Sequence, residues 1–135
     1  MIRVAAVGDL MLGDSSNTVG FGVHSQYGGA RLTELFAELS PRLRAADLAI
    51  GNLECPLTGR GAGQTAWARD QMRGDPADAR VLREVGFTAI SVANNHAMQH
   101  GDAGFAETVS ALRSAGILVL GLRGEVPWHA QPVIY

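Results

Sequence analysis

Residues that can hold a metal ion or move a proton follow three apolar runs of the chain. Asp9 follows residues 2–7, Glu54 follows residues 48–50, and Asn95 and His96 follow residues 87–93. Carboxylate and amide oxygens with some imidazole suit Mg, Mn, Fe or Zn rather than Cu(I). These residue types predict one or two divalent metal sites, with His96 either a ligand or a general acid.

The apolar runs at residues 2–7, 48–50, 87–93 and 117–120 are typical of strands buried on both faces of a sheet. Three helical patterns separate them. The first spans residues 32–43 and is kinked or divided by Pro41. The second has Asp75 as N-cap and stops at Gly86, and the third opens at Asp102 and ends before residue 116. The alternation predicts an α/β fold with a mostly parallel sheet and right-handed crossovers.

In such a sheet, sites form outside the carboxyl ends of the strands. Taken singly, Asp9, the pair Asn94 and Asn95, or His96 has an ordinary explanation as a turn, cap or structural residue. Their coincidence at one edge favours a functional site. Two long Gly-rich connections, residues 9–30 and 54–74, are predicted to be functional or mobile loops. We expect Asp14 and His24, in the first of them, to be solvated.

Composition excludes several classes of protein. Of 135 residues, 47% are hydrophobic and 18% charged, which argues against disorder and fits one domain. A net charge of −2 argues against a nucleic-acid partner or an anionic membrane surface. All 11 basic residues are Arg, so a Schiff-base or P-loop lysine is excluded.

The N-terminus lacks a signal-peptide pattern and no apolar run approaches the ~20 residues of a membrane span, which predicts a cytoplasmic protein. The single Cys55 cannot form an internal disulfide. A nucleophilic role for it is conceivable, but a small, semi-buried apolar filler is the favoured interpretation.

Three motifs together carry a family resemblance: GDLMLG at residues 8–13, ADLAIGNLECPL at residues 46–57, and SVANNHAM at residues 91–98, followed by GDAGF at residues 101–105. In this order and spacing the chain resembles the CapA family of poly-γ-glutamate capsule synthesis, which is similar to calcineurin-like metallophosphoesterases. The resemblance implies the N-terminal half of a metallophosphatase-like αββα sandwich, so residues 1–135 are expected to be a CapA-like domain truncated at its C-terminal end.

The resemblance also implies roles for individual residues. Asp9 and Glu54 would be metal carboxylates, Asn95 a metal-binding amide and His96 the proton donor. Asn52, Asn94 and His100 would contact substrate or support the ligands. The expected activity is metal-dependent hydrolysis of a phosphoester or of a γ-glutamyl amide in an anionic polymer.

The chain departs from the family pattern at several positions. Met11 stands where phosphoesterases carry a His ligand, and Gln99 and His100 stand where CapA-like sequences often carry Asp. The later His-containing motif has no counterpart; His129 does not match it. An alternative therefore stays open: a non-catalytic half-domain that pairs with a missing half, a second copy or another chain through an edge strand, with residues 132–135 as the candidate strand.

Overall fold

A four-stranded parallel sheet is the framework of the protein, seen in a computed structural model that describes residues 1–15, 17–59 and 71–123. The elements in chain order are β1 (Val4–Leu10), β2 (Asp14–Ser15), α1 (Val23–Tyr27), α2 (Leu32–Leu35), α3 (Ser40–Arg44), β3 (Leu48–Leu53), β4 (Met72–Arg73), α4 (Asp78–Val85), β5 (Ala89–Ser91), α5 (Gly101–Ser114) and β6 (Leu118–Leu120). The sheet order is β1-β3-β5-β6, and every neighbouring pair is parallel. This confirms the predicted α/β class.

The core lies between the sheet and the helices. Phe87, Ile90 and Leu82 are fully buried, and the rings of Phe36 and Phe87 meet edge to face with centroids 6.0 Å apart. Helix α4 packs against α2, α3 and α5. Because neighbouring strands are parallel, their carboxyl ends lie at one edge of the sheet.

Strands β1 and β3 end later in the chain than the sequence predicts. β1 continues through Leu10 and β3 through Leu53, so Asp9 and Asn52 lie within the ends of strands rather than after them. The apolar runs end earlier because they follow side-chain type, whereas backbone pairing continues through polar residues at a strand end. The predicted burial on both faces is wrong for these strands: in β1 only Leu10 is buried, and in β3 buried and half-buried residues alternate. Both side chains are therefore held by a strand backbone.

Two predicted helix boundaries need correction. Asp75 is not the N-cap of α4, which begins at Asp78 after Ala77; the Asp75 Oδ1 instead accepts a hydrogen bond from the Ala77 N–H at 2.8 Å. Such an Asx turn competes with helical capping. The pattern over residues 32–43 is divided, as one alternative predicted. The break lies at residues 36–39, because Pro41 is tolerated in the first turn of α3.

The two long connections pair with each other through β2 and β4, an antiparallel two-stranded sheet that their composition did not predict. Gly13 permits this contact, since a Cβ there would lie 2.5 Å from the carbonyl carbon of Arg73. The pairing places Met72, on the second connection, opposite Ser15 of the first connection. Residues 132–135 and His129 lie outside the described part of the chain.

Candidate active site

The site begins at an irregularity in the pairing of β1 with β3. Ala6 pairs with Ile50 and Asp9 with Asn52, so β1 has one more residue than β3 between these two pairs. A bulge of this kind re-aims the side chains beside it. At its end Asn52 Nδ2 donates a hydrogen bond to Asp9 Oδ1 at 2.8 Å. The Asp9 carboxylate is exposed and is held by a neutral donor.

Asn94 links the end of β3 to the loop after β5. Its Nδ2 donates to the Leu53 carbonyl at 2.9 Å and to Asn52 Oδ1 at 3.2 Å, while its Oδ1 accepts from the His96 N–H at 3.0 Å. Each polar atom of the amide therefore has a partner. Asp9, Asn52, Asn94 and the His96 backbone form one continuous chain of hydrogen bonds.

The His96 ring lies between two side chains. Its Nε2 lies 3.8 Å from Glu54 Oε1, and both side chains are about one-fifth exposed, at 21% and 22%. On the other side of the ring, Nδ1 lies 2.6 Å from Gln99 Nε2. The imidazole is thus fixed beside a carboxylate at the strand edge, still open to solvent.

Two predicted site residues, Asn95 and His100, take no part in this chain of hydrogen bonds. Asn95 is exposed next to Asn94. His100 instead contacts the backbone of β4, where its Nε2 donates to the Met72 carbonyl at 2.9 Å. Their predicted roles, like those of Asp9, Asn52, Glu54, Asn94 and His96, stay predictions.

The donor types fit a hard divalent cation, but the described residues supply only part of a complete ligand set. Asp9 and Glu54 offer carboxylate oxygens and Asn95 an exposed amide oxygen, which is the chemistry Mg or Mn prefers. Among residues 1–15, 17–59 and 71–123, no three His, Cys, Asp or Glu side chains come together as a metal-binding group. An amide or a donor outside those ranges would have to complete the coordination.

A second polar cluster, not predicted from the sequence, joins the first long connection to α4. Asp14 is buried, contrary to the expectation that it is solvated, and accepts hydrogen bonds from the backbone N–H and the hydroxyl of Ser25. His24 Nδ1 lies 3.8 Å from Oδ2 of the fully buried Asp78. Burial raises the pKa of the Asp78 carboxyl, because desolvation penalises its charged form. These contacts tie α1 to α4.

Cys55 is an apolar filler, as favoured by the sequence, and its side chain is 1% exposed. Burial raises the pKa of its thiol to about 11. A thiol that stays protonated in the core is a poor nucleophile. In the described part of the chain, no helix has the length and apolar character needed to cross a membrane.

Sequence reasoning missed Gln99, one of the two side chains beside the His96 ring. In the sequence, Gln99 was noted only as a departure from a family pattern. Its spacing of three residues from His96, within a tight turn, could have indicated contact between the two side chains. The approach of Met72 could not have been found in this way, because it depends on the pairing of β2 with β4.

Comparisons with known proteins agree with the resemblance. The model of the bacterial capsule synthesis protein family PGA_cap matches residues 3–135. The PGA biosynthesis protein CapA of Bacillus subtilis (strain 168) is 27% identical over 121 residues, covering 90% of this chain and 30% of that protein. The capsule biosynthesis protein CapA of Bacillus anthracis is 26% identical over 136 residues, covering 99% of this chain and 31% of that protein. The chain therefore spans about a third of the length of the curated relatives it matches.

Proposed function

The chain belongs to the bacterial capsule synthesis protein family, and we propose that it acts as a metal-dependent hydrolase in making or processing an anionic polymer of the poly-γ-glutamate type. The observation that carries this proposal is the hydrogen-bond chain from Asp9 through Asn52 and Asn94 to His96. The names of the two CapA relatives support the substrate class.

Asp9, Glu54 and Asn95 would hold the divalent cation, chosen from Mn, Fe, Zn or Mg. When bound, the cation would act as a Lewis acid toward a phosphoryl or carbonyl oxygen of the substrate. The residues of this chain would orient the ligands and supply the proton. Asn52 orients the Asp9 carboxylate, and Asn94 fixes the backbone of the turn that carries His96.

His96 would act from Nε2 on the leaving atom when the phosphoester or γ-glutamyl amide bond breaks and water is added. The doubly protonated ring would deliver its Nε2 proton to that atom, and the neutral ring would donate a hydrogen bond to the charge that develops there. Nε2 is the ring nitrogen on the Glu54 side, and the side chain is 21% exposed, so a substrate can reach it. General acid catalysis typically contributes a factor of about 10²–10⁴ in rate. We expect loss of the imidazole to cost a rate factor in this range.

The test is hydrolysis of a model phosphodiester and of a γ-glutamyl oligomer, each measured with Mn²⁺. His96→Ala and Asp9→Ala should each lower the rate by about 10²-fold or more. Asp102→Ala, which removes an exposed carboxylate at the start of α5, should keep it. Hydrolysis that is unchanged in His96→Ala, or absent from the wild type on both substrates, would overturn the proposal.

A second candidate function, a module that pairs through an edge strand, is favoured by the exposure of β1. Among the described strands β1 lies at one end of the sheet order; its first residue, Val4, is 59% exposed, and Ile2, two residues before the strand, is 80% exposed. An unpaired strand edge with apolar side chains is a template for strand addition by a second copy or by another chain. Light scattering should then find a dimer that Val4→Lys dissociates; a wild-type monomer at high concentration excludes self-pairing.

A further inference from the structure

Two backbone atoms of one residue, Met72, hold the turn that carries both His96 and His100. The Met72 N–H donates to Gln99 Oε1 at 2.8 Å, and the Met72 carbonyl accepts from His100 Nε2 at 2.9 Å. A backbone N–H can only donate and a backbone carbonyl can only accept. These two fixed roles determine the orientation of the groups that meet them.

The first consequence concerns the amide of Gln99. Because Met72 presents a donor, the atom of Gln99 that faces it must be the oxygen, and the other end of the amide is then the NH₂ group. That NH₂ group lies 2.6 Å from His96 Nδ1. Nδ1 must therefore be the acceptor of this hydrogen bond, and the hydrogen of the neutral ring must be on Nε2.

We propose that Gln99 is a positioning residue, which holds the neutral His96 ring in the tautomer with its hydrogen on Nε2, the nitrogen that faces Glu54. In this state His96 presents a hydrogen-bond donor, not an acceptor, to whatever oxygen enters beside Glu54. The inference concerns the site of the proposed function, on which its catalytic meaning rests. The neutral ring would stabilise negative charge that develops on a leaving oxygen or nitrogen by a hydrogen bond from Nε2, without transferring the proton.

The tautomer can be measured without any assay of activity. Long-range ¹H–¹⁵N correlation spectra of histidine-labelled protein distinguish the protonated from the unprotonated ring nitrogen. They should be recorded at alkaline pH, about two units above the ordinary histidine pKa of about 6.5. Wild-type His96 should show hydrogen on Nε2 alone. Hydrogen on Nδ1, or an average of both tautomers, would overturn the proposal.

Gln99→Glu provides the decisive variant, because a carboxylate beside Nδ1 can only accept. In this variant the His96 ring should change to the tautomer with hydrogen on Nδ1. His100 serves as an internal control in the same spectrum, and should keep hydrogen on Nε2 as long as Met72 stays in place. Gln26→Glu introduces the same charge on α1, where the Gln26 amide donates to the Gly20 carbonyl, and should leave both rings unchanged.

The two proposals can fail separately. If His96 has the Nε2 tautomer but the protein hydrolyses neither model substrate, the positioning role of Gln99 stands and the hydrolase function fails. If hydrolysis depends on His96 but Gln99→Glu leaves the tautomer unchanged while His100 reports an intact turn, the positioning role fails alone.

Discussion

Asn52 lies opposite Asp9 in the parallel pairing of β1 with β3, and its Nδ2 donates to Asp9 Oδ1 at 2.8 Å. The contact follows directly from the extra residue in β1, which brings the two side chains to the same level of the sheet. Through the side-chain oxygen Oδ1 of Asn52, which accepts a hydrogen bond from Asn94 Nδ2, the carboxylate is connected to the His96 turn. The strand ends thus behave as one polar unit.

Removing the central amide should destabilise this unit. Asn94→Ala leaves the carbonyl of the buried Leu53 and the His96 N–H without their side-chain partners, so we expect the free energy of unfolding to fall by about 1–3 kcal/mol. Asn95→Ala, at the exposed neighbour, should change stability by no more than about 0.5 kcal/mol. Urea unfolding measures both, and equal effects would contradict the bridging role of Asn94.

The pairing of β2 with β4 should depend on Gly13. In Gly13→Ala the new methyl group would meet the backbone of Arg73 and Gly74, so we expect a loss of about 1–3 kcal/mol in the free energy of unfolding. Gly8→Ala is the matched control, because a Cβ at Gly8 has no neighbour within 4 Å among the described residues. A Gly13→Ala protein as stable as Gly8→Ala would show that the two connections are not packed in this way.

Asp78 should make stability depend on pH. Its pKa in the folded protein is raised from the ordinary value of 3.8 by burial, so the stabilisation it provides is complete below that value and declines as the pH rises through the raised pKa. Asp78→Asn lacks the penalty of burying a charge. Its stability relative to the wild type should therefore increase between about pH 3 and pH 7.

The control for Asp78→Asn is Glu38→Gln, which removes a negative charge from an exposed position. Denaturant titrations of the three proteins across this pH range give the comparison. A difference between Asp78→Asn and the wild type that is constant with pH, or that shrinks as the pH rises, would contradict the assignment of a raised pKa.

Cys55 should be inert to thiol reagents in the folded protein. Only the thiolate attacks such reagents, and a pKa of about 11 in a buried position leaves little thiolate at neutral pH. Labelling should be slow in buffer and complete in denaturant. Rapid labelling of the native chain would mean that the core around Cys55 opens, which the packing of this region does not predict.

The sequence was sufficient for the order of the four strands of the parallel sheet and of the helical patterns between them, and for the edge at which the polar residues meet. Apolar runs, helical periodicity and the geometry of parallel sheets determine these features. The sequence did not predict β2, β4 or α1. It placed Asp75 wrongly as a cap and Asp14 wrongly in solvent. The first error reflects an Asx turn that mimics capping, and the second a contact with Ser25 eleven residues away. The role of Gln99 depends on Met72, 27 residues away in the chain, which no local pattern reveals.

The central claim is a metal site at the ends of β1 and β3. Its most direct test is a calorimetric measurement of Mn²⁺ binding to the metal-free protein. The wild type should bind one or two equivalents, Asp9→Asn should bind at least about 10-fold more weakly, and Asp102→Asn should match the wild type. No binding by the wild type, or equal affinity in all three proteins, would contradict a metal site at the ends of β1 and β3.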